Sequence, residues 1–509
     1  MMHDAPAAPP AGSTPALQTP IDLENAAEKK ILDAGMRPVD HYVARLSRWR
    51  YAFRQALIPV VRYETPYLAR LQARFRTPTL DSYFAFTANL GTHTFFMVML
   101  PVLFWCGYTR LGRAMVHLLA LGVIISGIIK DLLCLPRPLS PPLQRITMSG
   151  SAALEYGFPS THSTNAISVV VYALYELRTT NELSWGVSTG LQALCWTYGT
   201  SIVFGRLYCG MHGFLDVVVG SALGALIAVV QILAGDAFDT WIHDGPILNI
   251  LLLLTVILAV VRTHPEPADD CPCFDDSVCF AGVLIGVSLA FRHYANGPYS
   301  LPHPYPGTTP YSFASLGWPT TLARVALGVL LIFAWRATAK SLLLRTLPPL
   351  FRVIELGGAD LPRRFFLKAS QYDSVPKLRH DDNVLPSAAE VAQLVGDVRR
   401  RRGRAVSVGP QSVADAYEAL AYRQEQRRKS LSAEPESPRG PTEGLGENEE
   451  ERERAERREI FRGVEKPRVR YDVEVVTKLI VYAGIGWLAV EVSPVVFELS
   501  GLGLGSLHL

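Results

Sequence analysis

Three short polar runs interrupt an otherwise apolar chain, and their residue types are those of phosphate chemistry. The first is Lys130-Asp-Leu-Leu-Cys-Leu-Pro-Arg137-Pro138, and the second is Pro159-Ser160-Thr161-His162. The third is Gly205-Arg206-Leu-Tyr-Cys-Gly-Met-His212-Gly-Phe-Leu-Asp216. Lys130, Arg137 and Arg206 are fixed cations, and the guanidinium fork suits bidentate contact with phosphate oxygens. Ser160 adds a hydroxyl, and a helix starting there adds outward-facing backbone N–H groups. Together they make a site for a dianion, most naturally a phosphate. Phosphoryl transfer through a covalent intermediate needs a nucleophile and a proton donor for the leaving oxygen. His212 and Asp216 are four residues apart, so at the start of a helix they share a face. The carboxylate can then hold the imidazole tautomer that leaves the other nitrogen lone pair exposed. This assigns His212 as nucleophile and His162 as the general acid that protonates the leaving alkoxide.

The elements that position these residues must be membrane helices. Hydrophobic residues make up 49% of the 509 and charged residues only 19%, with mean hydropathy +0.18, against a usual quarter charged. The missing charge is concentrated in Glu447 to Arg470. Charge-poor windows able to cross about 30 Å of hydrocarbon are Ala88 to Tyr108, Ala114 to Leu135, His162 to Tyr175, Ser184 to Gly205, Val217 to Gly235, Ile247 to Val261, Val278 to Phe291, Leu316 to Trp335 and Leu479 to Leu499. The last two contain Arg324 and Glu491. Only a bundle of helices satisfies so much backbone in lipid, so the expected fold is all-α: a polytopic transmembrane helical bundle with a core of about six helices. Parity then places the site. The chain leaves one membrane face after the second window, returns before the third, and is back between the fourth and fifth, so all three polar runs share one face.

In this order, Lys-x6-Arg-Pro, Pro-Ser-x-His and Arg-x5-His-x3-Asp resemble the three signature motifs of the type 2 phosphatidic acid phosphatase superfamily of membrane lipid phosphatases, over about Ala88 to Gly235. Pro-Ser-Thr-His and Gly-Met-His-Gly-x-Leu-Asp look most like the sphingosine 1-phosphate phosphatases, the fungal long-chain base phosphate phosphatases in particular. Cys271-Pro-Cys-Phe-Asp-Asp-Ser277 is similar to that subgroup too, extending the likeness to roughly Tyr42 to Trp335. Thr161 stands where many members have Gly, which keeps the backbone N–H. Gly205 stands where many have Ser before the Arg, which removes a hydroxyl donor. The resemblance implies a metal-independent phosphomonoesterase without cofactor, acting on a membrane lipid in the endoplasmic reticulum. It implies His212 as nucleophile, Asp216 as its partner and His162 as general acid. Lys130, Arg137, Ser160, the Thr161 amide and Arg206 would bind phosphate. The expected layout is a disordered tail over 1–40, an interfacial Arg and aromatic segment over 41–87 and a phosphatase domain over 88–335. A polar, partly disordered loop over 340–476 and a last membrane helix over 479–499 follow.

Each piece alone has an ordinary explanation. Lysine and arginine at helix ends snorkel to headgroups, and Pro-Ser-x-His is an ordinary turn into a helix. Joint occurrence, in order and on one face, carries the reading. Two other functions use the same cations: a lipid phosphotransferase, in which an alcohol replaces water, and a non-catalytic anion-binding transporter. The second lacks repeat symmetry and paired unwound segments. A net charge of +3 with no aromatic-interleaved basic stripe excludes nucleic acid as a partner. Cys271, Cys273, Asp275 and Asp276 form a poor zinc pattern without a second cysteine pair or a nearby histidine, so a structured loop is expected there. Cys134 and Cys209 read as small packing residues, and Ser430, Ser432 and Ser437 as sites for regulation. Orientation pulls two ways. The arginine content of the site's face argues for the cytosol, whereas the resemblance implies the lumen. Long loops weigh little in the charge rule, so the lumen is expected. Nothing in the sequence sets an oligomeric state.

Overall fold

The computed structural model describes residues 39–88, 93–140, 142–146, 155–180, 183–358, 363–375 and 469–504. The expected N-terminal tail, save its last two residues, and the serines Ser430, Ser432 and Ser437 lie outside the described residues. What is described is almost all helix. In chain order the helices are α1 (Val39–Arg45), α2 (Arg48–Phe75), α3 (Pro78–Ala88), α4 (His93–Trp105), α5 (Thr109–Leu133), α6 (Thr161–Thr179) and α7 (Trp185–Tyr208). They continue with α8 (Phe214–His243), α9 (Ile247–Thr263), α10 (Cys273–Ala295), α11 (Phe313–Leu356), α12 (Val473–Trp487) and α13 (Ser493–Leu499). A π-helical segment, Leu488–Val492, joins the last two. A short parallel pair, β1 (Phe366–Leu367) with β2 (Arg470–Tyr471), leads into α12.

Five helical units are long and apolar enough to cross a membrane: α5, α8, α10, α11 and the run from α12 to α13. Their outer faces identify the solvent. Leu226, Val229, Val230 and Leu233 on α8 are exposed, as are Leu248, Leu251, Leu252 and Val256 on α9. Apolar area on this scale belongs against lipid, and the chain is a multi-pass membrane protein. Two expected windows come out short, since α4 has 13 residues and α9 has 17. Helices α6 and α7 have the length, at 19 and 24 residues, but are more polar. In α6 the cause is a first turn that buries Ser163, Thr164 and Asn165. Arg324 is accommodated within its window by burial, with Nη2 donating to the Trp105 carbonyl at 2.9 Å. Glu491 pairs with His293.

The core joins α5 to α6, α8 and α10, sets α6 between α7 and α8, and packs α10 and α11 on α12. The crossing of α6 and α8 matters most for function. It is made at Gly220 and Gly224, a small-xxx-small pair that lets backbones approach. A Cβ at Gly220 would stand 2.6 Å from the Ser160 carbonyl oxygen, and one at Gly224 would meet the Thr164 carbonyl.

The Arg and aromatic segment divides its residue types. Helix α2 leaves Trp49, Phe53, Tyr63, Tyr67 and Phe75 exposed and buries Arg54, Val61, Thr65, Leu68 and Gln72. Two of its guanidinium groups turn inward to the end of α5. Arg50 donates to the Leu132 and Asp131 carbonyls at 2.8 and 2.6 Å, and Arg54 donates to the Cys134 carbonyl at 3.1 Å. The last carbonyls of α5 lack intrahelical partners, and these arginines satisfy them.

Candidate active site

The first polar run is positioned by the end of α5. Cys134 takes a left-handed conformation (φ 52°) with its N–H on the Lys130 carbonyl at 2.9 Å, which closes the helix. Lys130 in that last turn does not snorkel: it is 3% exposed, and Nζ donates to Glu155 Oε2 at 3.0 Å. Arg137 lies beyond the turn. Its Nε donates to the Glu155 carbonyl at 3.0 Å and Nη2 to Oε2 at 3.3 Å. Its Nη1 donates to the Met211 carbonyl at 2.7 Å and stands 3.2 Å from His212 Nε2. Arg206, at the end of α7, is 6% exposed, and its Nε has no acceptor among the described residues.

The second run is laid over the first by a glycine. A Cβ at Gly157 would stand 2.9 Å from the Pro136 carbonyl oxygen and 3.1 Å from Arg137 Cα, so only glycine lets the strands of loop touch. The Gly157 carbonyl thereby reaches His212 Nδ1 at 2.8 Å. Asp216, expected to orient this imidazole, stands beside the same nitrogen. The tautomer with a free Nε2 lone pair is set by a backbone carbonyl accepting from Nδ1–H. Asp216 Oδ2 lies 3.6 Å from Nδ1, beyond hydrogen-bond range, and accepts from the Gly213 N–H at 2.8 Å. A carboxylate at this position satisfies an orphan amide of the α8 start, fixing the loop that carries His212. The Asp216 carbonyl accepts from Ser160 N–H at 3.0 Å, which ties the second run to the third.

Ser160 is buried and caps α6, with Oγ accepting from Ser163 N at 3.4 Å and from Ser163 Oγ at 3.0 Å. Its own amide is engaged, so by helix geometry the outward amides are those of Thr161 and His162. The Thr161 hydroxyl shares a hydrogen bond with Ser126 Oγ at 2.9 Å. His162 feels the charges of Arg206, Glu155, Lys130 and Arg137. All eight expected residues therefore converge at one end of the bundle. Gly205 faces elsewhere: its Cβ direction meets the Phe84 ring at 3.0 Å, so the hydroxyl missing there would have met α3.

The electrostatics favour an anion. Burial, then Arg137, Lys130 and Arg206, push the His212 imidazole well below its usual pKa, which leaves it neutral. Burial raises the Glu155 carboxyl, but Lys130 and Arg137 overcome it and hold the group at about 2. Burial lowers Arg137 only to about 10, so it stays charged.

The PAP2 superfamily profile matches residues 111–237, from α5 to α8, and spans all three runs. The chain is 41% identical over 312 residues to a dihydrosphingosine 1-phosphate phosphatase of Schizosaccharomyces pombe, covering 60% of this chain and 73% of that protein. This chain belongs to the PAP2 superfamily. Its likeness to a dihydrosphingosine 1-phosphate phosphatase of Saccharomyces cerevisiae is 37% over 271 residues, 53% of this chain and 67% of that one. To human sphingosine-1-phosphate phosphatase 2 it is 29% over 279 residues, 53% and 67% of the two chains. No solved structure matches it.

Two carboxylates of this PAP2 site escape the motif reading. One is Glu155, which occupies the space between Lys130 and Arg137. The other is Glu64, whose Oε1 accepts from the Leu215 N–H at 2.9 Å at the start of α8. A signal for Glu64 exists in the sequence, because it is the sole acid in the arginine-rich α2.

Proposed function

We propose that this PAP2 protein hydrolyses the phosphate monoesters of long-chain bases, namely dihydrosphingosine, phytosphingosine or sphingosine 1-phosphate, through a phosphohistidine in the endoplasmic reticulum membrane. The observation that carries this reading is a buried set of three cations, one of them with an Nε–H that has no partner among the described residues, beside an imidazole held neutral with Nε2 facing Arg137. The substrate phosphate displaces the Glu155 carboxylate and takes Lys130, Arg137, the Ser160 hydroxyl, Arg206 and the Thr161 amide as its donors. These groups stabilise the charge on its equatorial oxygens, the role metal ions fill in other phosphoryl-transfer enzymes. His212 Nε2 attacks phosphorus as the bond to the lipid oxygen breaks, and His162 gives that oxygen its proton. Water then attacks the phosphohistidine with His162 as base, releasing inorganic phosphate and restoring His212. Ser160 and Asp216 hold the two histidine-bearing segments in register.

A single-chain lipid suits the position of the site. The three runs lie at helix ends with apolar helix below, so the phosphate can enter while its chain stays in the leaflet. Activity assays of the purified protein over sphingoid base phosphates, phosphatidic acid and soluble monoesters, with and without EDTA, test the reading. Sphingoid phosphates should be preferred and turnover should survive the chelator. A requirement for Mg2+, or equal kcat/KM for soluble esters, would overturn it. Phosphate appearing on an added alcohol at the expense of hydrolysis would make the protein a phosphotransferase.

A further inference from the structure

Glu155 holds two of the cations that the proposed reaction gives to phosphate, so substrate binding must send its carboxylate elsewhere. Oε2 accepts from Lys130 Nζ at 3.0 Å and from Arg137 Nη2 at 3.3 Å. The backbone of this segment is fixed. The Glu155 carbonyl accepts from Arg137 Nε at 3.0 Å, the Tyr156 hydroxyl donates to Asp269 Oδ2 at 3.0 Å, and the Gly157 N–H donates to the Leu135 carbonyl at 2.9 Å. Displacement is therefore a rotation of the side chain, and the carboxylate comes to rest beside the bound phosphate. The side chains of Lys130 and Arg137 are 3% and 4% exposed and that of Glu155 is 26% exposed. The acid thus stands on the open side of the phosphate, where the rest of the substrate lies.

A carboxylate left there is repelled by a phosphate dianion unless a cation lies between them. Among the charges that act on Glu155, Lys130 and Arg137 are by then taken by phosphate, and His162 serves the leaving oxygen. Arg206, which also feels Glu155, is a phosphate donor as well. The missing cation has to arrive with the substrate. In a long-chain base phosphate, the carbon next to the one that bears the phosphate carries an ammonium. Phosphatidic acid and simple alkyl phosphates have no cation at that position.

We propose that Glu155 reads the amine: on binding it exchanges Lys130 and Arg137 for the substrate's ammonium, and so selects long-chain base phosphates over monoesters without a neighbouring cation. This selection rests on the monoester hydrolysis proposed above and supplies the contact that sets its specificity. After the exchange every charge has a partner, phosphate on the three cations and carboxylate on the ammonium. A carboxylate that only filled the empty site would instead weaken every substrate alike. Glu64, the other acid near the motifs, is engaged at the start of α8, where its Oε1 accepts from the Leu215 N–H at 2.9 Å.

The test compares kcat/KM of the full chain in detergent for dihydrosphingosine 1-phosphate and for the analogue with hydrogen in place of the amine. The wild type should prefer the amine by at least about tenfold, the worth of a hydrogen bond between charged groups. Glu155→Gln should lose that preference, with turnover of the amine-free analogue rising. The wild-type profile for the amine should show an alkaline limb, from loss of the ammonium proton, that the analogue lacks, and Glu155→Gln should abolish this difference. Equal kcat/KM for the two substrates in the wild type, or a loss in Glu155→Gln that is proportionate for both, would overturn the proposal and leave the phosphatase reading standing. Turnover of neither substrate by the wild type would overturn both. Amine preference lost in Glu64→Gln but kept in Glu155→Gln would assign the contact to the other acid and overturn the proposal. Should Glu155→Gln fail to fold, Glu155→Asp, which keeps the charge but draws it back by one methylene, should show a reduced preference, and one equal to the wild type would count against Glu155.

Discussion

Lys130 Nζ and Glu155 Oε2 are 3.0 Å apart, and Arg137 Nη2 reaches the same oxygen at 3.3 Å. One carboxylate oxygen therefore sits where two of the cations would meet a phosphate. An anionic inhibitor must displace it, and the competition is between like charges for the same donors. Glu155→Gln removes the charge while keeping the backbone carbonyl that holds Arg137. The inhibition constant for orthovanadate or inorganic phosphate is expected to fall about threefold to tenfold, about 0.7–1.4 kcal/mol. A weaker inhibitor constant in the variant would show instead that the carboxylate is needed to hold the two cations in place.

Arg206 supplies a different kind of contact, because its Nε has no protein acceptor among the described residues. A planar fork can give two parallel hydrogen bonds, and an ammonium cannot. Arg206→Lys keeps the charge and is expected to lower kcat/KM at least about tenfold, about 1.4 kcal/mol in barrier. Full activity in this variant, measured on a long-chain base phosphate, would remove Arg206 from the phosphate contacts.

The depressed His212 pKa has a sign that can be checked. A histidine whose pKa lies well below its usual value stays neutral, and so nucleophilic, as pH falls through about 6.5. The substrate's own second ionisation, near about pH 6, remains. The kcat/KM profile should therefore fall with a slope of one on the acid side. A slope of two, or a limb centred above about 6.5, would mean that His212 titrates as an ordinary imidazole. Rapid-quench labelling adds the assignment: His212→Ala should form no acid-labile phosphoenzyme, and His162→Ala should accumulate it only from a substrate whose leaving group needs no proton. Phosphate found on His162 would exchange the two roles.

The three runs are legible because each combines residue types that membrane depth disfavours, and counting crossings is enough to put them on one face. The helix core is legible for the related reason that apolar windows in lipid have one regular solution. Other features depend on contacts that spacing does not encode. Glu155 is one acid in a loop, 25 residues from its lysine partner. Arg50 and Arg54 sit among aromatic rings, and the alternation of types is the same whether an arginine turns to lipid phosphate or to the end of α5. The tautomer of His212 depends on a carbonyl, that of Gly157, and a carbonyl has no signature in side-chain types.

The approach of α6 to α8 gives the last prediction. Ser160 and His162 ride on α6, and Asp216 and the loop of His212 on α8, so the phosphate site is only as well formed as this crossing. Gly224 is buried where a methyl group would press on the Thr164 carbonyl. Backbone at both sides leaves no flexible side chain to give way. Gly224→Ala must separate the helices, and overpacking of this kind costs about 1–3 kcal/mol. Both effects should be visible in one preparation: a lower midpoint of thermal unfolding in detergent, and a fall in kcat larger than any change in KM, because the nucleophile and the general acid move apart. Leu226→Ala, two residues on but 60% exposed on the lipid side, should leave both unchanged. An alanine at position 224 that unfolds and turns over like the wild type would mean that the histidines are held by their loops and not by the crossing.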